Sequence, residues 1–199
     1  MNEFEECVAR GGVALFPADT VYGLATAAES AEGVRRLYEI KGRPQDRPAA
    51  VMFFRLDDAL AALPELGPRT REALERLLPG PVTLILPNPG RRFPLACGPA
   101  PERLGLRVPD VPALAGVRTP VLQSSANPSG GADARRLEDV DAEIRARVDL
   151  EIDGGELPGT PSTVVDLSRY EDGGGYEILR QGALPAEALR GLGQPFEVE

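Results

Sequence analysis

Short apolar runs recur along the chain, and glycine or proline ends most of them. Such runs are typical of buried strands, and they predict strands at residues 13–16, 20–24, 49–54, 82–86, 104–108 and 121–124. Two later runs, 163–167 and 176–179, flank three consecutive glycines and predict a hairpin.

Apolar residues at helical spacing lie between these strands. Residues 4–9 predict a short helix that Gly11 and Gly12 stop. Ser30 is typical of a helix N-cap, and the helix after it is expected to end at Lys41 with Gly42 as its cap. The apolar periodicity predicts two more helices, one marked by leucines 74, 77 and 78 and one by residues 137, 140, 144 and 148.

Residues 87–101 contain proline, glycine and arginine without periodicity, and they predict a long surface loop. Strands and helices otherwise alternate without an internal repeat. This order predicts an α/β fold with a mixed sheet and flanking helices. We expect a single domain over residues 1–199, since the length suits one domain and is short for two.

Composition limits the classes of function. The N-terminus is acidic, and no stretch approaches the roughly 18 apolar residues of a membrane span, so we expect a cytoplasmic protein without a membrane segment. Cys7 and Cys97 form no C-x-x-C pair, which suits a reducing compartment. The chain contains no histidine, which excludes histidine-dependent nucleophilic catalysis and the usual zinc sites.

The charge balance is 22 − 31 = −9, so any anion site must be a local cluster of cations. Of the 22 cations only Lys41 is a lysine. It begins a segment, 41–48, in which Arg43 and Arg47 add two more cations between prolines and a glycine. Lysine as a point charge and arginine as a bidentate donor suit a polyphosphate. The alternative is that Lys41 and Arg43 only complement the dipole at the end of the helix.

Polar residues follow the strand at 121–124. Ser125 and Asn127 stand where α/β sheets place ligands, and their side chains can bind phosphate, ribose or a base edge. The alternative is an ordinary Asn-Pro turn. Thr20, Ser162 and Arg180 add further hydroxyls and another cation in similar settings. The standard phosphate-binding loops, G-x-x-x-x-G-K-[ST] and G-x-G-x-x-G, are absent.

Taken in order, these segments resemble the YrdC-like family of threonylcarbamoyl-AMP synthases, from about residue 13 to 184. The resemblance rests on the motifs P-x-D-T-V-Y-G-L, K-x-R-P-x-x-x-P, P-G-P-x-T-L-I-L, L-x-V-P, S-A-N-x-S-G, S-T-V-V-D and L-R-x-G-A. It implies a twisted mixed sheet around a positively charged cavity.

The resemblance also implies a reaction, in which L-threonine, bicarbonate or CO2 and ATP give threonylcarbamoyl-AMP and pyrophosphate. Mg2+ is expected to arrive with the nucleotide, and the protein is expected to have no metal site of its own. The expected partner downstream is the complex that transfers the threonylcarbamoyl group to tRNA, and this chain could also contact tRNA directly. The implied site residues are Lys41 and Arg43 for catalysis; Lys41, Arg43, Arg47, Ser125, Asn127 and Arg180 for ATP; and Thr20, Arg107 and Ser162 for threonine.

The chain departs from the family pattern at Ala18, at Met52 and Val111, where histidines are frequent, and at Arg103 and Gln123, which replace small residues. The last two are expected to crowd the cavity. Two other functions remain open at this point. One is an RNA-binding or ribosome-associated paralogue, which the net charge of −9 disfavours. The other is a carbamoyl-adenylate activity within a larger enzyme.

Overall fold

One mixed sheet of nine strands runs through the computed structural model, which describes residues 3–193, and confirms the predicted α/β class. The strand order is β7-β1-β2-β6-β3-β5-β4-β8-β9. The strands are β1 (Ala14–Pro17), β2 (Tyr22–Ala27), β3 (Ala50–Met52), β4 (Val82–Pro87), β5 (Arg103–Arg107), β6 (Val121–Ser125), β7 (Leu150–Glu151), β8 (Thr163–Asp166) and β9 (Glu177–Arg180). Three pairs, β1–β7, β3–β5 and β4–β8, are parallel, and the other pairs are antiparallel.

Six α-helices accompany the sheet: α1 (Glu3–Ala9), α2 (Ala31–Lys41), α3 (Leu56–Ala62), α4 (Pro68–Leu77), α5 (Pro94–Cys97) and α6 (Ala142–Arg145). Three short 3-10 segments lie at Pro112–Leu114, Leu137–Asp139 and Ala186–Leu192. Within residues 3–193, no helix has both the length and the apolar character needed to cross a membrane.

The two faces of the sheet are covered unequally. One face buries the larger apolar cluster, which includes side chains of α2 and α4 against strand residues such as Leu24, Leu84 and Leu106. On the other face, α1 packs Phe4 against Phe16 and its neighbours, and Met52 belongs to the same smaller cluster. Beyond this cluster the second face carries small and polar residues instead of a helix, and this part of the sheet becomes the site described below.

Helix α2 begins and ends where the sequence predicts. The Ser30 side chain accepts a hydrogen bond from the backbone N–H of Gly33 at 3.1 Å. Gly42 has φ 59°, in the left-handed region, and its backbone N–H bonds to the carbonyl of Glu39. Gly33 itself lies against β2, because a Cβ built there would overlap the Thr26 hydroxyl and lie 3.0 Å from the carbonyl of Gly11.

The predicted surface loop at 87–101 is wrong in part. It contains α5, whose Ala96 and Cys97 are buried. The Asn88 side chain, 2% exposed, donates to the carbonyls of Arg92 at 3.0 Å and Pro101 at 2.9 Å. The segment is therefore packed through polar bonds to its own backbone, which a search for apolar periodicity does not detect.

The helix predicted over residues 137–148 is also wrong, because the segment forms a 3-10 turn followed by the four-residue α6. The Asp139 side chain accepts from the backbone N–H of Arg136 at 2.9 Å, and Asp141 accepts from that of Glu143 at 2.8 Å. Aspartate side chains that accept hydrogen bonds from nearby backbone N–H groups favour the start of a new turn over the continuation of one helix. The predicted strand at 49–54 shortens to three residues, and α3 was not predicted.

We expect Gly33→Ala to lower the free energy of unfolding by about 1–3 kcal/mol, because the added methyl group must push α2 away from Thr26. Urea denaturation followed by circular dichroism measures this change. Gly116→Ala is the matched control, since a Cβ at that exposed glycine meets no atom within 4 Å. Equal denaturation midpoints for the two variants would contradict the close helix–strand approach.

Candidate functional site

A cavity of about 320 Å³ opens on the same face of the sheet as α1, in the part that α1 does not cover. Six strands contribute to its walls, and side chains two residues apart on one strand share a face. These lining residues include Ala50 of β3, Thr83 and Ile85 of β4, Gly105 and Arg107 of β5, Gln123 and Ser125 of β6, Val164 of β8 and Arg180 of β9. Ala50 and Gly105 are direct partners on neighbouring strands, so their small side chains leave room at the floor of the cavity.

Six of the nine site residues implied by the sequence line this cavity: Thr20, Arg43, Arg107, Ser125, Ser162 and Arg180. The other three, Lys41, Arg47 and Asn127, are not among its lining residues. Arg47 is exposed on the segment after α2, whereas Lys41 and Asn127 are buried beside the cavity wall. The structure therefore brings together residues that are up to 160 positions apart in the chain.

Lys41 lies under the wall, with 3% of its surface exposed. Its Nζ donates to the Asn127 carbonyl at 2.6 Å, to Asn127 Oδ1 at 3.0 Å and to the Ser125 carbonyl. An ammonium group has three donors, so all of them are used by the last residue of β6 and the loop that follows it. Burial, with a smaller contribution from the charge of Arg43, lowers the pKa of Lys41 to about 8, and Asp133 opposes the shift.

Arg107 and Asp19 form a buried ion pair at one end of the cavity. Arg107 Nη2 lies 2.6 Å from Asp19 Oδ1, and their side chains are 4% and 8% exposed. Burial lowers the pKa of Arg107, whereas it raises the pKa of Asp19 against the opposing charge of Arg107. Arg107 also approaches Thr20 Oγ1 at 3.4 Å and Gln123 Oε1 at 3.5 Å. This end of the cavity is thus polar with little net charge.

The other two arginines of the lining have no carboxylate partner within residues 3–193. Arg43 Nη2 donates to the carbonyl of Pro48 at 2.5 Å, and its guanidinium lies 5.6 Å from the ring centroid of Tyr38. Arg180 Nη2 donates to the carbonyl of Ser162 at 2.8 Å. Backbone carbonyls orient both groups without neutralising them, so their charge remains available to an anion.

Several lining residues were not singled out as site residues by the sequence. Asp133 is the one carboxylate among the lining residues, and Thr83 Oγ1 lies 2.8 Å from Ser162 Oγ. Thr83 could have been noticed as the polar residue of an otherwise apolar strand, whereas nothing near Asp133 marked it. Because Asp19 neutralises Arg107, the remaining charges of the lining are Arg43 and Arg180 against Asp133. The positively charged cavity stays a prediction.

The departures from the family pattern have unequal consequences. Met52 is fully buried in the smaller apolar cluster and is not among the lining residues, although it is the strand partner of Arg107. Arg103 pairs with Asp166 and is also outside the lining, so it does not crowd the cavity as expected. Gln123 does line the cavity and is 5% exposed. The predicted crowding therefore comes from Gln123 alone.

We expect the Lys41 amine to titrate near pH 8, compared with 10.5 for an ordinary lysine. Because the chain has one lysine, NMR of protein labelled with ¹⁵N,¹³C-lysine follows this side chain alone. In the unfolded chain the Lys41 amine keeps its proton up to about pH 10.4. The contribution of Lys41 to the free energy of unfolding therefore rises between about pH 8 and 10.5. The same sample in urea is the control. A titration midpoint of Lys41 near pH 10.5 in the folded protein would contradict the burial of its amine.

Comparisons with known proteins identify relatives of this chain. The chain is 34% identical over 196 residues to threonylcarbamoyl-AMP synthase of Bacillus subtilis (strain 168), which covers 94% of this chain and 54% of that protein. It is 29% identical over 178 residues to the protein of the same name from Hahella chejuensis (strain KCTC 2396), covering 87% of this chain and 94% of that relative. The chain spans about half the length of the first curated relatives that it matches.

The fold is similar to that of Pyrococcus abyssi Sua5 complexed with L-threonine. The TM-score is 0.85 at 27% sequence identity, and the match covers 98% of this chain and 58% of that chain. A model of the Sua5/YciO/YrdC family, described as "Telomere recombination", matches residues 6–182. Because the family model covers most of its residues, the chain belongs to the Sua5/YciO/YrdC family.

Proposed function

We propose that this chain makes L-threonylcarbamoyl-AMP from L-threonine, bicarbonate or CO2 and ATP, and that it releases pyrophosphate. The observation that carries the proposal is one cavity with two arginines that have no carboxylate partner in the described part of the chain, and with a polar, nearly neutral end. The two arginines provide the positive charge that a polyphosphate requires, and the nearly neutral end suits a small amino acid. The names of the relatives, and a Sua5 structure with bound L-threonine, support the same reaction.

For ATP, we assign Arg43 and Arg180 to the phosphates, because each extends a guanidinium toward the cavity from a fixed backbone contact. Ser125, which lines the wall, would contact the nucleotide directly. Lys41 and Asn127 would act from behind this wall by holding the end of β6, which carries Ser125, and the loop after it. Arg47 is exposed and would reach the phosphates only at the mouth of the cavity.

Mg2+ would enter with the nucleotide. No group of three or more carboxylate, cysteine or histidine ligands occurs within residues 3–193, and Asp133 is the one acidic residue of the lining. These residues fit an ion held mainly by phosphate oxygens, with Asp133 as the nearest protein carboxylate. When bound, the ion would neutralise charge on the departing pyrophosphate. Arg43 and Arg180 would hold the oxygens of this pyrophosphate.

For threonine, we assign Thr20, Arg107 and Ser162, which line the cavity. The amino group of threonine would attack CO2 to give a carbamate and release one proton. A carbamate oxygen would then attack the α-phosphorus of ATP, forming an O–P bond as the bond to pyrophosphate breaks. Neither step requires a protein nucleophile, so the absence of histidine is compatible with the reaction.

The remaining expectations belong to the same proposal. We propose that residues 1–199 form one domain, although residues 1–2 and 194–199 lie outside the described range. We also propose that the product passes to the complex that modifies tRNA and that the protein acts in the cytoplasm. The net charge of −9 disfavours extended binding of RNA by the surface, so a direct contact with tRNA would be confined to the mouth of the cavity.

The test is pyrophosphate release with ATP, Mg2+, bicarbonate and threonine. We expect release to require threonine, and Arg43→Ala and Arg180→Ala each to lower kcat/KM roughly a hundredfold, because each removes a charged donor from the phosphates. Arg91→Ala is the matched control, since Arg91 is exposed and is not among the lining residues, and it should leave the rate unchanged. Threonine-independent release would contradict the proposal, and no release together with salt-sensitive tRNA binding would favour the RNA-binding alternative.

A further inference from the structure

Gln123 occupies a position that the proposed reaction leaves without a role. It lies on β6 between Ala25 of β2 and Ala50 of β3, on the face that forms the cavity. Its side chain is buried, and it has room because Gly23 has no Cβ, which would lie 2.8 Å from Gln123 Nε2. A long polar side chain is thus held where its two strand partners are both alanine.

The orientation of the Gln123 amide follows from its neighbour. Arg107 Nη1 approaches Gln123 Oε1 at 3.5 Å, and a guanidinium can only donate hydrogen bonds. The amide oxygen must therefore face Arg107, and the NH2 group must point the other way. This NH2 group has no hydrogen-bond acceptor among residues 3–193, although its residue lines the cavity. An amide donor that faces the cavity without a protein acceptor favours a ligand that brings one.

The charge near Gln123 indicates which kind of acceptor fits. Arg107 is already neutralised by Asp19 at 2.6 Å, and the Thr20 hydroxyl lies beside the pair. Arg43 and Arg180, which have no carboxylate partner in the described chain, are the groups suited to anions. A neutral amide next to a neutralised ion pair suits an uncharged oxygen, such as an alcohol, better than a carboxylate.

We propose that Gln123 determines the amino-acid specificity of this enzyme by donating a hydrogen bond from Nε2 to the side-chain hydroxyl of the substrate. The inference rests on the proposed function, since it names the group that distinguishes threonine from other amino acids in that cavity. A site that hydrogen-bonds a hydroxyl rejects the analogue without it, because the bound analogue covers the donor of the site and leaves it unpaired.

The test compares threonine with valine, which has the same shape and a methyl group in place of the hydroxyl. Calorimetry with a non-hydrolysable ATP analogue and Mg2+ gives a Kd for each amino acid without turnover. We expect the wild-type protein to bind threonine roughly tenfold or more tightly than valine. In Gln123→Met, which keeps the length of the side chain without the amide, the ratio of the two Kd values should fall close to one.

Gln123→Leu is a second variant, in case Gln123→Met does not fold, and an unchanged Kd for the ATP analogue verifies that the cavity is intact. A valine-to-threonine ratio that stays at the wild-type value in both variants would overturn the inference. So would equal weakening of both amino acids, which indicates a contact with the carboxylate or a packing role. If the wild-type protein binds neither amino acid, the proposed function also fails, whereas threonine binding without discrimination overturns this inference alone.

Discussion

Burying the ammonium group of Lys41 has a large desolvation cost, which its three oxygen acceptors must offset. All three acceptors belong to the chain that leaves β6, so this charge can be satisfied only if α2 and that loop keep one relative position. The backbone N–H of Ser129 also donates to the Lys41 carbonyl at 3.0 Å, which adds a second link between α2 and this loop. Ser125 and the cavity wall are fixed as a consequence. The lysine thus supports the site from behind, where an arginine fork would require a different set of acceptors.

The cavity itself depends on the unequal covering of the sheet. Helix α1 protects one part of the second face, and the exposed remainder has Ala50 and Gly105 at its centre with longer polar residues around them. Its arginines fall into two classes, because Arg107 is neutralised by Asp19 whereas Arg43 and Arg180 are held by backbone carbonyls. One cavity can therefore offer separate environments to a charged and an uncharged part of its ligands.

The sequence predicts most of this architecture. Apolar runs locate the central strands, and the caps of α2 are read correctly because Ser30 and Gly42 have local conformational reasons to stand there. The segments at 87–101 and 137–148 are misread because polar side chains, such as Asn88 and Asp141, organise their own backbone there. The motifs identify six residues that line the cavity, but only the packing shows that Lys41 lies behind the wall and that Arg103 pairs elsewhere. Such distinctions depend on contacts between distant segments, which local patterns do not contain.

The central claim is that this cavity joins threonine, a one-carbon unit and AMP. Mass spectrometry of the products formed from ATP, threonine and ¹³C-bicarbonate tests it most directly. The account predicts an adenylate that contains both threonine and one carbon-13 atom, formed together with pyrophosphate. An unlabelled adenylate, or none at all from folded protein that binds ATP, would contradict it.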